Sequence, residues 1–306
     1  MIIIGESIHI IAPRVRRAIE ERDAEAIQKI AIEQVEAGAQ ILDLNIGPQK
    51  KRGVEVMEWL VDTIQDAVDV RLSLDTTNLK AIEAGLKRCK RKAIVNSTSG
   101  EAERLEKVPL VAAKYSAGLI ALTMAKSGIP ITPEERVGIA LEFLIPRAME
   151  VGIPMEDLYV DPLALTVAGC QEYAVPSIET VRYLKQAFDP APMTTIGLSN
   201  ISNTVPDENR SLIDRIYLVM LMATGLDTAI ANPLDKELKE VIRIIEERDT
   251  STPVGQLLIN LYDATAAMEE LDPELVDMDD PAQTDIHKTV RILTNQVIYA
   301  DSYLRM

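Results

Sequence analysis

The stretches QILDLNIGPQ at residues 40–49 and VRLSLDTTNLK at residues 70–80 decide the fold class. Side chains alternate across an extended strand, so Leu42, Leu44 and Ile46 share one side of the first stretch and Asp43 and Asn45 share the other. In the second, Ser73 and Asp75 oppose Val70, Leu72 and Leu74. Each strand therefore packs an apolar face under something and turns a polar face elsewhere. The residues between them, Val54–Ala67, read as a helix with one charged side.

The same alternation extends in both directions. Strands are predicted at Ile2–Gly5, Gln40–Asn45, Val70–Asp75, Ala93–Ser97, Leu119–Met124, Leu158–Asp161, Thr194–Asn200 and Asp227–Ala231, with helical segments such as Ala24–Ala37, Leu79–Lys87, Pro133–Val151, Ser211–Ala223 and Glu237–Arg248 between them. Eight βα units in about 250 residues fit an α/β chain closed as a (β/α)8 TIM barrel. A doubly wound open sheet is the second choice, but GESIHI after the first strand is not its glycine-rich phosphate turn. After residue 248 the rhythm breaks. Val254–Glu270 reads as an extra helix, 271–285 as an exposed acidic loop, and 287–304 as a closing helix, so 249–285 resembles an insertion within a single domain spanning 1–306.

Lys and Arg number 32 against 48 Asp and Glu, a formal charge of −16, which disfavours binding to nucleic acid. No apolar run approaches the ~20 residues that span a bilayer, and the first ten residues lack a basic leader, so the chain reads as cytoplasmic with no membrane partner. Two histidines (His9, His287) and two cysteines (Cys89, Cys170) are too few for a His-rich or four-thiolate metal site, and the thiols read as unpaired.

In such a barrel the chemistry belongs at the C-terminal ends of the strands. Those ends carry Glu6, Asp43, Asn45, Asp75, Asn96, Thr123, Asp161, Ser199, Asn200 and Asn232. Any one of them can simply cap the following helix, and Asp75, just ahead of TTN and a helix, fits that reading best on spacing. Collected at one mouth they suit a neutral heterocycle rich in N–H donors, such as the 2-amino-4-oxo edge of a pterin, whose adjacent donors match a carboxylate's two oxygens. His9 reads as a solvated loop residue. Lys126 fits equally a solvent-facing position and a contact to a folate's glutamate tail.

The runs DLNIGP (43–48), MEWLV (57–61), LDTTNLKAIEAGLK (74–87), NSTSGE (96–101), LTMAKSGIP (122–130), PMEDLYVDPL (154–163), DPAPMTTIGLSNIS (189–202) and NQVIYADSYL (295–304) together resemble the methyltetrahydrofolate:corrinoid/iron-sulfur protein methyltransferases, a branch of the pterin-binding barrels that also includes dihydropteroate synthase. The resemblance implies a homodimeric barrel that moves the N5 methyl group of 5-methyltetrahydrofolate to Co(I) of a cobalamin carried by a separate corrinoid protein. It also implies that Asp75, Asn96 and Asp161 hold the pterin, that Asn200 lies next to N5, and that Arg210 belongs to the site, although the loop before it, NTVPDENR, is longer than the pattern. Asp43, Asn45 and Ser199 complete the expected binding set. A dihydropteroate synthase-like enzyme and a non-catalytic pterin-binding subunit of a corrinoid complex stay open as alternatives.

Overall fold

A computed structural model describes residues 1–305. Eight parallel strands alternate with helices: β1 (Ile2–His9), α1 (Pro13–Glu21), α2 (Ala24–Glu36), β2 (Ile41–Asn45), α3 (Gly53–Gln65), β3 (Arg71–Asp75), α4 (Leu79–Arg88), β4 (Ile94–Ser99), α5 (Ala102–Lys114) and β5 (Gly118–Leu122) form the first part. α6 (Pro133–Ile139) then runs through a π turn (Ala140–Leu144) into α7 (Ile145–Glu150). β6 (Leu158–Asp161), the single distorted turn α8 (Val167–Cys170), α9 (Ala174–Ala187), β7 (Met193–Thr194), α10 (Asp207–Ala223), β8 (Thr228–Ala231), α11 (Lys236–Glu247), α12 (Pro253–Ala266) and α13 (Pro281–Leu293) follow.

The sheet order is β7-β6-β5-β4-β3-β2-β1-β8, every pair parallel. The ring closes through a bridge between Gly197 and Ile230, where the Ile230 N–H donates to the Ile196 carbonyl at 2.8 Å. The expected TIM barrel is therefore present, with its last seam made by the segment after β7 and not by β7 itself.

Local chemistry explains the elements. Asp23, Asn78, Asp235 and Asp280 accept backbone N–H groups at the starts of α2, α4, α11 and α13. Thr132 and Thr252 do the same for α6 and α12, each with proline in the first helical position. The strand parity also holds: Leu42, Leu44, Leu72 and Leu74 are buried against the helices, while Ile4, Ile41, Ile94, Ile120 and Tyr159 form an apolar plug of their own.

Several boundaries differ from expectation. β1 runs to His9 across a bulge between Gly5 and Ile8, so His9 ends a strand and does not sit in a solvated loop. Gly5 is required there, because a Cβ would lie 2.5 Å from the Gln34 side-chain oxygen, which accepts the Ser7 N–H at 2.9 Å. The seventh strand has two residues, and 198–200 form a 3-10 turn. The last helix starts at Pro281 and ends at Leu293, because Asp280-Pro281 is a strong N-terminal signal inside the presumed acidic loop. Within 249–285, α12 packs on α10 and α11.

Candidate functional site

The polar ends of the strands converge at the C-terminal mouth. Asn96 donates to Asp43 at 3.1 Å, and both are buried. Asn45 donates to Asp75, and its own carbonyl oxygen takes the Gly47 N–H at 3.0 Å. Ser199 donates to Glu6 at 2.6 Å, joining the turn after β7 to β1. Asp161 accepts the Leu163 N–H at 2.7 Å and a further N–H from Gly197. These contacts form two sets, one joining β2, β3 and β4 and the other joining β1, β6 and the turn after β7, which together make a polar ring at the mouth.

Its electrostatics are unusual. Among the described residues, none of Glu6, Asp43, Asp75 and Asp161 forms an ion pair within 4.0 Å. Burial pushes Asp161 up to about 7, against the opposing pull of the Leu163 N–H and the Arg136 charge. Asp43 and Asp75 both lie above the carboxylate range, because each is desolvated and the two repel one another. Glu6 is raised by burial, in spite of the Ser199 hydrogen bond and the nearby Arg210 charge. Buried acids without cations are costly unless a ligand brings donors. The ring's chemistry fits a donor-rich ligand and not an anion.

Asn200 stands apart. It is exposed at the rim, and its side chain makes no hydrogen bond among the described residues. Gly197 makes room for it: a Cβ there would lie 2.8 Å from the Asn200 amide nitrogen. Arg210 turns inward, donating from Nε to Ser202 at 3.2 Å and facing Glu6 and Asp214.

Not every strand-end residue joins the ring. Thr123 is buried and donates to the Asp161 carbonyl at 3.1 Å, tying β5 to β6. Asn232 accepts the Leu234 N–H at 3.1 Å and organises the turn after β8. Asp75 does not cap α4, since Asn78 holds that position with its side-chain oxygen on the Lys80 and Ala81 N–H groups. His9 takes the Ile11 N–H on Nδ1 at 3.1 Å, with its pKa lowered by burial. Lys126 is exposed in the loop after β5. Cys89 and Cys170 are free thiols, and burial pushes Cys89 up to about 12.

Three charged residues escaped the sequence reading. Arg104 donates to the Ser97 carbonyl and faces Asp75. Asp214, raised by burial to about 7, sits beside Ser202 and Arg210. Arg136 lies behind Asp161. All three come from helices, where spacing gives no sign of the mouth. A cavity of about 530 Å³ lies at the opposite end of the barrel, between Met1, Met193, Met222, Asp227 and Tyr262. Among the described residues, no helix is long and apolar enough to cross a membrane, and no group of three or more His, Cys, Asp or Glu could hold a metal ion.

Known proteins resemble this chain in sequence and in fold. The chain is 29% identical over 244 residues to the methylcorrinoid:tetrahydrofolate methyltransferase of Eubacterium limosum, covering 79% of this chain and 89% of that protein. It is 28% identical over 258 residues to the methionine synthase of Mycobacterium leprae, covering 81% of this chain but only 21% of that longer protein. A solved dihydropteroate synthase from Coxiella burnetii, in complex with pteroic acid, superposes with a TM-score of 0.61 at 15% identity, covering 82% of this chain and 94% of the other. That likeness bears on the fold. Residues 14–232 match the pterin-binding enzyme family from α1 to the end of β8 and take in the whole ring except Glu6: the chain belongs to that family.

Proposed function

We propose that this protein is a methyltransferase that moves a methyl group between N5 of 5-methyltetrahydrofolate and the cobalt of a corrinoid carried by a separate protein. The observation that supports this most directly is the ring of desolvated carboxylates at the mouth, none in an ion pair among the described residues, with the unpartnered Asn200 amide at its rim. The Eubacterium relative is named for this pair of substrates, with the transfer written from the methylcorrinoid to tetrahydrofolate. One site serves both directions, since a catalyst lowers the same barrier either way.

The pterin's amino and ring N–H groups donate to Asp75 and Asp161, which they allow to ionise, and Asn96, steadied by Asp43, sets the ring's orientation. Asn45, Ser199 and Arg210 complete the binding set by holding Asp75, Glu6 and the turn after β7 in place. A tertiary amine is a poor leaving group. As the methyl passes to Co(I) and forms methyl-Co(III), N5 takes up a proton and leaves as the neutral amine of tetrahydrofolate. Asn200 has no proton to release at neutral pH. Its carbonyl accepts a hydrogen bond from protonated N5, or orients the water that delivers the proton. The open rim leaves room for the corrinoid protein to bring its cobalt to the exposed methyl, and the proposal includes a homodimer.

Mixing the protein with 5-methyltetrahydrofolate and a Co(I) corrinoid tests this reading: the Co(I) absorbance disappears as methylcorrinoid forms. Pterin binding without that change would leave a non-catalytic pterin-binding subunit. Synthase chemistry, which expels pyrophosphate, calls for cations at the mouth. At this mouth Arg104 and Arg210 face the ring's own acids, and the group exposed at the rim is the Asn200 amide.

A further inference from the structure

Ordinary packing does not account for the cation behind Asp161. Arg136, one turn into α6, has no solvent exposure, and among the described residues it forms no ion pair. Its Nε donates to the Pro130 carbonyl at 2.9 Å. Its Nη1 donates to the Pro162 carbonyl at 2.9 Å, the Leu163 carbonyl at 3.3 Å and the Ser177 hydroxyl at 2.7 Å. The guanidinium carbon lies 5.7 Å from the centre of the Tyr173 ring, while Nη2 is buried without a partner. Arginine stays charged in proteins, so a fold that buries one away from carboxylates meets a real cost.

The position of its acceptors suggests what offsets that cost. Pro130 belongs to the loop after β5, and Pro162 and Leu163 follow β6 directly. Leu163 has φ +69°, a left-handed conformation that a branched side chain rarely adopts, and its N–H is the group that meets the Asp161 carboxylate. The fork holds the very turn that carries this donor.

We infer that Arg136 is a positioning residue for Asp161: it fastens the Pro162–Leu163 turn so that the Leu163 N–H meets the carboxylate, and it supplies the positive charge that balances that carboxylate when a donor-rich ring docks. The second half of the statement rests on the reading of the mouth as a pterin site, while the first does not. The other titratable groups facing the pair are phenols, Tyr217 from α10 and Tyr173 from the turn before α9. Arg136 is therefore the one cation in reach of Asp161 among the described residues.

The test follows the Asp161 carboxyl in ligand-free protein by carbon NMR with labelled aspartate, its signal assigned by its loss in Asp161→Asn. In Arg136→Met its titration rises by about one unit or more from the starting value near 7. At pH 7 the same variant binds 5-methyltetrahydrofolate about tenfold more weakly by calorimetry, a loss that shrinks below about twofold in the Asp161→Asn background, because the two residues act as a unit. An unmoved Asp161 titration in folded Arg136→Met protein overturns the inference, as does an equal loss of affinity in both backgrounds. Should Arg136→Met fail to fold, Arg136→Lys decides. It keeps the charge but not the fork, so the titration stays within about half a unit while affinity falls about threefold, and unchanged affinity refutes the clamp. A wild-type protein that binds no 5-methyltetrahydrofolate refutes the reading of the mouth, and the ligand-free titration still judges the role of Arg136.

Discussion

The two ends of the barrel treat their acids in opposite ways. At the floor, where the strands begin, Asp157 pairs with Lys92, Asp227 with Lys185 at 2.5 Å, and Glu246 with the N-terminal amine. At the mouth, where the strands end, Asp43, Asp75, Asp161 and Glu6 have no ion-pair partner among the described residues, and each lies above its ordinary pKa because of burial. Between the two ends lies the apolar plug of Ile4, Ile41, Ile94, Ile120 and Tyr159. A fold built only for stability would finish both ends as it finishes the floor. The mouth instead stores unfavourable electrostatics that a ligand carrying N–H donors relieves.

The largest effect expected from this contrast is at Asn200. Asn200→Ala lowers the rate of methyl transfer by about 100-fold or more, in the range of general acid–base effects, and changes 5-methyltetrahydrofolate affinity by less than about threefold. Stopped-flow decay of Co(I) absorbance alongside calorimetry measures both, and equal losses would remove the transition-state role. Next comes Asp161→Ala, which deletes a charged acceptor worth about 1.5–3 kcal/mol and weakens pterin binding accordingly. Unchanged affinity would place the pterin elsewhere.

Stability should move the other way. Asp161 titrates near 7 in the folded state and near 3.8 when unfolded, so folding takes up a proton between those values. The contribution of Asp161 to the stability of the ligand-free protein therefore falls as pH rises from about 4 to 7 and changes little above that window. Asp161→Asn removes the cost and raises stability at pH 8 by an order of magnitude of 1–4 kcal/mol, read as a higher melting temperature. A melting temperature lower than wild type at pH 8 would show that the mouth stores nothing at this position. The smallest effect belongs to the floor: Lys92→Met breaks a partly exposed pair and shifts stability by no more than about 1 kcal/mol, with the methyl-transfer rate unchanged.

Much of this contrast is already legible along the chain. The period of two in ILDLN and RLSLD separates Asp43, Asn45, Ser73 and Asp75 from the leucines between them, and the structure keeps that separation. Reading failed where neighbours decide. Thr194–Asn200 has the composition of a strand, yet only Met193–Thr194 pair as one, because the following residues bend to bridge β8 and to turn the Gly197 N–H onto Asp161. Asp75 looks like a cap in sequence, but Asn78, three residues on, takes the helix.

Strand positions, helix caps and the polar character of the strand ends follow from local chemistry, since alternation, capping and turn preferences act over a few residues. Closure of the ring, the burial that lifts Asp161 toward 7, and the placement of Arg104, Arg136 and Asp214 around the mouth depend on segments distant in the chain. Desolvation and charge pairing depend on distance in space, and only the folded barrel sets those distances.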